Sequence, residues 1–278
     1  MGESSLGADG IELDAYLERV GVAAATPDGA FLARLHRAHT TTLCHENVDV
    51  VLGRTVGLGP ADLNAKMVRG GRGGNCLEHN LLFASVLERL GYRVTRLSGR
   101  VRMGDRRIRT NTHVTLLVED GRRTWLADVG FGGPGPLEPL PFADGAVSPQ
   151  EGWTYELVEE SPGTWVLRQR RDRGPFDLYS FTLDEQHHCD FVVANHYITT
   201  HPSSPFTGGL LTQFSRPGAR LLLRNGTLTR TWSDGSEKSR AVDPDELPAL
   251  LSGEFGLRLD QAETSVLVRS WQRGGNAG

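Results

Sequence analysis

Three side chains in this 278-residue sequence have the types needed for covalent chemistry at a carbonyl carbon: Cys76, His113 and Asp128. Cys76 follows the glycine-rich stretch Gly70-Gly71-Arg72-Gly73-Gly74 and opens an amphipathic helix. Phe83, Val86, Leu87 and Leu90 form the apolar stripe of that helix, and Gly91 closes it. Exposed N–H groups and the positive end of the helix dipole favour a thiolate at such a position. A thiolate attacks thioesters and other carbonyl carbons far better than a thiol does. A small buried structural cysteine would fit the same place.

The partners come from turn chemistry. Asp120-Gly121 separates two strand-like runs and is the dipeptide of a two-residue type I′ hairpin. With that turn, Glu119 faces Arg122, Val118 faces Arg123, Leu116 faces Trp125, and His113 faces Asp128. Directly opposed residues on one face have Cβ atoms about 4.5–5.5 Å apart, within hydrogen-bonding reach for imidazole and carboxylate. Asp128 would then fix the tautomer of His113, and His113 would hold the thiolate and pass protons. A shifted register would break the pairing.

Other constellations are weaker. Cys76-x-x-His79 with His187-His188-Cys189 has zinc-ligand types, but no second Cys-x-x-Cys follows. Adjacent His187 and His188 would point to opposite faces of a strand, so no metal is expected. The Gly70–Gly74 stretch lacks the Gly-Lys-Ser/Thr of a phosphate loop. Gly130-Phe131-Gly132-Gly133-Pro134-Gly135 could present amides to an anion, or could simply connect two strands. Cys44-His45 is a rival nucleophile without a turn-derived carboxylate.

The elements that must position these residues change in character along the chain. The first ninety residues read as mainly helical. Leu13, Tyr16, Leu17 and Val20 form one stripe closed by Gly21, Thr26-Pro27 starts a second helix, and Gly59-Pro60 starts a third. Stretches 112–118, 123–129, 154–158 and 164–170 read as strands, and 131–152 as a long loop. Strands near 219–224 and 227–232 precede a helix near 244–252. The tail after Trp271 carries no ordering signal, and no internal repeat is present.

Composition narrows the class. Hydrophobic residues at 38% and charged residues at 23% suit a globular protein with a sizeable core. A net charge of −4 gives no basic surplus for nucleic acid or an anionic membrane. Three cysteines do not make a secreted disulfide framework. The segment Met1–Leu6 lacks the features of a secretory leader, and no apolar run reaches membrane-spanning length. The expected location is the cytoplasm.

The motifs together resemble one family. Arg72-Gly73-Gly74-Asn75-Cys76-Leu77-Glu78-His79-Asn80 resembles the active-site signature of the arylamine N-acetyltransferases. Thr112-His113-Val114 and Leu126-Ala127-Asp128-Val129-Gly130-Phe131-Gly132 resemble the family's His and Asp segments. His45-Glu46-Asn47-Val48-Asp49-Val50 and the run from Ala194 to Phe206 match as well. The resemblance implies an α+β fold with a cysteine-protease/transglutaminase-like core. It implies a helical bundle over 1–92, a β-barrel over 93–205 and an α/β lid over 206–278. It also implies ping-pong acyl transfer from acetyl-CoA, as co-substrate and not as a bound cofactor, to an aromatic amine or hydrazine. Cys76, His113 and Asp128 would be catalytic. Gly130, Phe131, Gly132 and Gly133 would lie near the donor's phosphates, and His45, Asn75, Phe131 and Phe206 near the acceptor. The alternative inside the family is an amide synthase that takes a long acyl chain from an acyl carrier protein. Outside it stands a thiol hydrolase or protease with the same triad. The sequence departs from the family where Cys44-His45 replaces Pro-Phe and where Asn75 replaces an aromatic residue, which would add polar groups to the acceptor pocket.

Overall fold

A computed structural model describes residues 10–105, 107–216 and 218–275; Met1–Leu6 and the last three residues lie outside them. Helices come first. α1 (Leu13–Val20) buries Tyr16, Leu17 and Val20, and Gly21 caps it with a φ of 71°. α2 (Gly29–Thr42) starts two residues later in the sequence than Thr26-Pro27 suggests. Its cap is Asp28, whose carboxylate accepts from Phe31 N–H at 2.7 Å. A two-residue strand β1 (His45–Glu46) and a single turn α3 (Val48–Val51) follow. α4 (Pro60–Leu63) runs into a π-helical segment, Asn64–Arg69.

α5 (Cys76–Arg89) is the central helix, buried along most of its length. Asn75 caps it: its side-chain oxygen accepts from Leu77 N–H at 2.9 Å and Glu78 N–H at 3.2 Å. Glu78 completes a capping box by accepting from Asn75 N–H at 2.9 Å. The helix therefore begins at Cys76.

An antiparallel sheet of eight strands comes next. In chain order these are β2 (Arg93–Val101), β3 (His113–Glu119), β4 (Thr124–Ala127), β5 (Leu140–Pro141), β6 (Ala146–Gln150), β7 (Trp153–Ser161), β8 (Thr164–Arg171) and β9 (Gly174–Glu185). Their spatial order is β5-β4-β3-β2-β9-β8-β7-β6. The edge strands β5 and β6 touch, so the sheet nearly closes into a barrel. Both edge strands fall inside the region expected to be one long loop.

α6 (His188–Thr200) is a helix that the sequence did not signal. Phe191, Ala194 and Ile198 are buried in the helical core, but Val192 and Val193 face outward and blur the stripe. The last part of the chain adds β10 (Leu211–Arg216), β11 (Ala219–Arg224), β12 (Thr227–Trp232) and β13 (Glu237–Ala241). β1 pairs with β10, so a strand from the helical region forms the edge of this second sheet. α7 (Leu247–Gly253) and α8 (Gln261–Gly275) pack on it. α8 continues past Trp271, where no order was expected.

The hairpin between β3 and β4 differs from the expected turn. It has four residues: Asp120 N–H donates to Arg123 O at 3.1 Å, and the Asp120 carboxylate accepts from the Arg122 and Arg123 amides, each at 2.8 Å. Glu119 therefore faces Thr124 and Leu116 faces Ala127, not Trp125. The register is displaced by two residues, so His113 and Asp128 are not directly opposed. An even displacement preserves the face of every side chain. Asp128, one residue past β4, still lies on the face of His113 and meets it diagonally.

The capping box generates one expectation. Asn75→Ala should cost about 1 kcal/mol. In a chain of this size that lowers the thermal midpoint by about 2–4 °C, while Asn75→Ser should keep most of it. Paired thermal melts of the two variants check this.

Candidate active site

Cys76, His113 and Asp128 meet where α5, β3 and the end of β4 converge. They are 7%, 2% and 1% exposed. His113 Nε2 and Asp128 Oδ2 are 2.6 Å apart. The Cys76 thiol lies close enough to interact electrostatically with the ring. Cys76 Sγ also lies 3.7 Å from Thr112 O. Asp128 Oδ1 accepts from Asn80 Nδ2 at 2.8 Å and from Gly130 N–H at 3.0 Å. Tyr179 and Phe131 enclose the imidazole, with ring centroids 4.7 and 5.1 Å away.

The electrostatics follow from this enclosure. Burial disfavours a charged imidazole, but the Asp128 charge and hydrogen bond, with the Cys76 contact, outweigh it and raise the His113 pKa to about 10. Burial works against a charged carboxylate too, yet His113, Asn80 and Gly130 N–H hold Asp128 below its ordinary value. Cys44 is a different kind of thiol. Burial pushes its pKa well above the ordinary value, and its Sγ donates to Gln213 O at 3.4 Å. It is held as a structural group. Cys189 is exposed.

Cys76 and His113 open onto a cavity of about 660 Å³ whose wall also includes His45, Phe131 and Phe206. Of the residues assigned to the acceptor, Asn75 stands apart: it is 2% exposed, and its oxygen is committed to the helix cap rather than to the cavity wall. The glycine loop is partly committed as well. Gly130 N–H bonds Asp128, and Gly133 N–H donates to Gln213 Oε1 at 2.6 Å. A Cβ on Gly130 would sit 2.6 Å from Cys76 O, so this glycine lets the loop touch the backbone of Cys76. Phe131, between them, lines the cavity.

Some residues of the site were not singled out from the sequence. Asn80, one turn beyond Cys76, ties Asp128 to Val114 O at 2.8 Å and accepts from Val129 N–H at 3.0 Å. Asn47 holds the Phe206 segment through Phe206 O at 2.8 Å and Gly209 O at 2.7 Å. Both lie inside the stretches that carry the family resemblance. Among the described residues no cluster of three His, Cys, Asp or Glu side chains could hold a metal ion. His79 bonds His39 Nε2 at 2.8 Å and Cys44 O at 3.1 Å instead.

The pKa of His113 makes a pH expectation. Its folded value lies above its unfolded one, so the stabilisation it gives is complete below about pH 6.5 and is lost as pH rises through about 10. Asp128→Asn removes the charge that raises it. Side-chain NMR at pH 8 should find the His113 ring doubly protonated in the parent and neutral in the variant. A ring already neutral in the parent would contradict the coupling.

Known proteins resemble this chain in sequence and in fold. A family model described as N-acetyltransferase matches residues 30–264. The arylamine N-acetyltransferase of Mycobacterium tuberculosis is 36% identical over 256 residues, covering 90% of each chain. The crystal structure of the Nocardia farcinica arylamine N-acetyltransferase superposes with a TM-score of 0.90 at 38% identity, covering 97% of this chain and 98% of that one. The Mycobacterium marinum arylamine N-acetyltransferase, solved in complex with CoA, has a TM-score of 0.86 at 30% identity, over 93% of this chain and 99% of that one. With a near-complete match in sequence and in fold, this chain belongs to the arylamine N-acetyltransferase family of acyltransferases.

Proposed function

We propose that this chain moves an acetyl group from acetyl-CoA to an aromatic amine or hydrazine by a ping-pong route through Cys76. The observation that carries the reading is the 2.6 Å contact of His113 with Asp128, beside Cys76, on the wall of a cavity of about 660 Å³. A protonated imidazole held by a buried carboxylate favours a thiolate next to it. That thiolate attacks the thioester carbonyl. The tetrahedral intermediate collapses with breakage of the carbon–sulfur bond to CoA, and His113 gives its proton to the departing sulfur. The acceptor's nitrogen then attacks the acetyl-enzyme. His113 takes the amine proton, the bond to Cys76 breaks, and the amide leaves. Asp128 orients the ring throughout.

The CoA complex of the M. marinum relative supports CoA as the leaving group. In this reading Phe131, on the cavity wall, and the Gly130–Gly133 backbone make the donor's side of the site. His45, Phe131 and Phe206 form the acceptor's side. Acetyl-CoA is a co-substrate here, and no resident cofactor is part of the reading. Donation of a long chain by an acyl carrier protein draws no support from relatives named as acetyltransferases. Amine, rather than water, as the second substrate separates this reading from a thiol hydrolase. The three free cysteines suit the cytoplasm. Among the described residues no helix is long and apolar enough to cross a membrane.

Intact-mass analysis after exposure to acetyl-CoA tests the nucleophile. One acetyl group should appear on the parent and on the Cys44→Ser and Cys189→Ser variants, and none on Cys76→Ser. An adduct mapped to Cys44 would refute the assignment. Asp128→Asn should keep the fold by circular dichroism and lose about 10⁴-fold in turnover, as the comparable change does in a serine protease; a loss below tenfold would deny Asp128 its orienting role.

A further inference from the structure

One buried polar group in the cavity wall has no use in the chemistry above. His45 is 7% exposed, and no protein group hydrogen-bonds to its Nδ1. Its position is fixed by strand pairing. Its backbone bridges to Gly74, two residues before Cys76, and pairs with Gln213 on β10. The ring lies parallel to His79 at 5.9 Å and tilted against Phe206 at 5.7 Å. His79 cannot satisfy it, because both nitrogens of His79 are committed to His39 and Cys44 O. Behind the ring, a second cavity of about 20 Å³ is shared by His45 and Gln213, which also share the wall of the large one. The Gln213 oxygen is taken by Gly133 N–H, leaving the amide nitrogen as donor.

We infer that His45 and its cross-strand neighbour Gln213 form a polar selector that favours aromatic amines carrying a hydroxyl group over those carrying a methyl group of similar size. The inference rests on the acetyl-transfer reading and deepens it. Burial lowers the His45 pKa to about 4, so near pH 7 the ring is neutral, with one donor and one acceptor nitrogen. A hydroxyl group both donates and accepts, and so complements a neutral imidazole. A methyl group in its place leaves buried polar atoms unpaired, which penalises the complex.

The test compares each aminophenol with the toluidine of matching ring position, acetyl-CoA being the donor. The two substituents also differ electronically, the hydroxyl withdrawing electrons at the meta position, so hydrogen bonding is read from the change in the ratio between the parent and His45→Phe, across which each amine's intrinsic reactivity is constant. In the parent, kcat/KM should favour at least one aminophenol by about tenfold or more. His45→Phe should bring that ratio towards one, and His45→Gln, which keeps a donor and an acceptor, should retain part of it. The ratio is internal to each enzyme, so a general loss of activity does not affect it. A parent ratio near one at all three positions, or a ratio unchanged in His45→Phe, would overturn the selector while acetylation of Cys76 by acetyl-CoA left the transfer reading intact. Absence of that acetyl adduct would overturn both.

Discussion

A charged carboxylate can be buried only if its lone pairs are met by donors, and Asp128 sets that requirement for the whole molecule. Its donors come from three places: His113 on β3, Asn80 on α5 and the amide of Gly130. Meeting all three binds the central helix to the barrel at one point. The same bonds fix the imidazole ring, so the arrangement that holds the two layers together also aims His113 at Cys76. Removing any one donor would leave part of a buried charge unpaired, which costs more than the bond itself contributes.

The segment that delivers Cys76 is held from the other side by charge. Arg72 bonds Glu46 at 2.9 Å, and Lys66 bridges Asp49 at 2.6 Å and Glu78 at 2.7 Å. Glu78 belongs to the α5 capping box, so this network is continuous with the helix start. Glycine is required where the backbones cross. A Cβ on Gly73 would lie 1.6 Å from Cys44 O, a position no side chain can share. The carbonyl of Cys44 instead accepts from Gly74 N–H at 3.2 Å, which ties the loop before Cys76 to the residue that precedes β1.

Beneath that carbonyl runs a line of neutral rings. Cys44 O can only accept, so His79 Nε2 must donate to it. His79 Nδ1 then accepts from His39 Nε2, and His39 Nδ1 accepts from the Tyr16 hydroxyl. Burial lowers the pKa of both histidines, His79 to about 3. The line therefore stays uncharged and runs one way, from Tyr16 on α1 to the carbonyl of Cys44. It gives the helical core polar order without adding a charge next to His113 and Asp128.

The sequence alone singled out Cys76, His113 and Asp128 as candidates and determined most of the elements that carry them. The amphipathic helix at Cys76, the strands around His113 and Asp128, and the strands at 219–224 and 227–232 all follow local patterns of period 3.6 or 2. The placement of His113 and Asp128 on one face was legible for the same reason, since strand parity survives a register displacement of two. Only the tertiary structure decided the rest. The four-residue turn at Asp120 depends on side-chain acceptance of two amides, which the Asp-Gly dipeptide does not specify. α6 depends on contacts with the helical core, because its own apolar residues mark no single face. The pairing of β1 with β10 joins residues far apart in the chain, and so sets both His45 and Gln213 against the cavity that Cys76 lines. Local pattern fixes which face a side chain occupies; which distant group meets it is settled by packing, because burial satisfies its polar atoms only when the whole chain has closed around them.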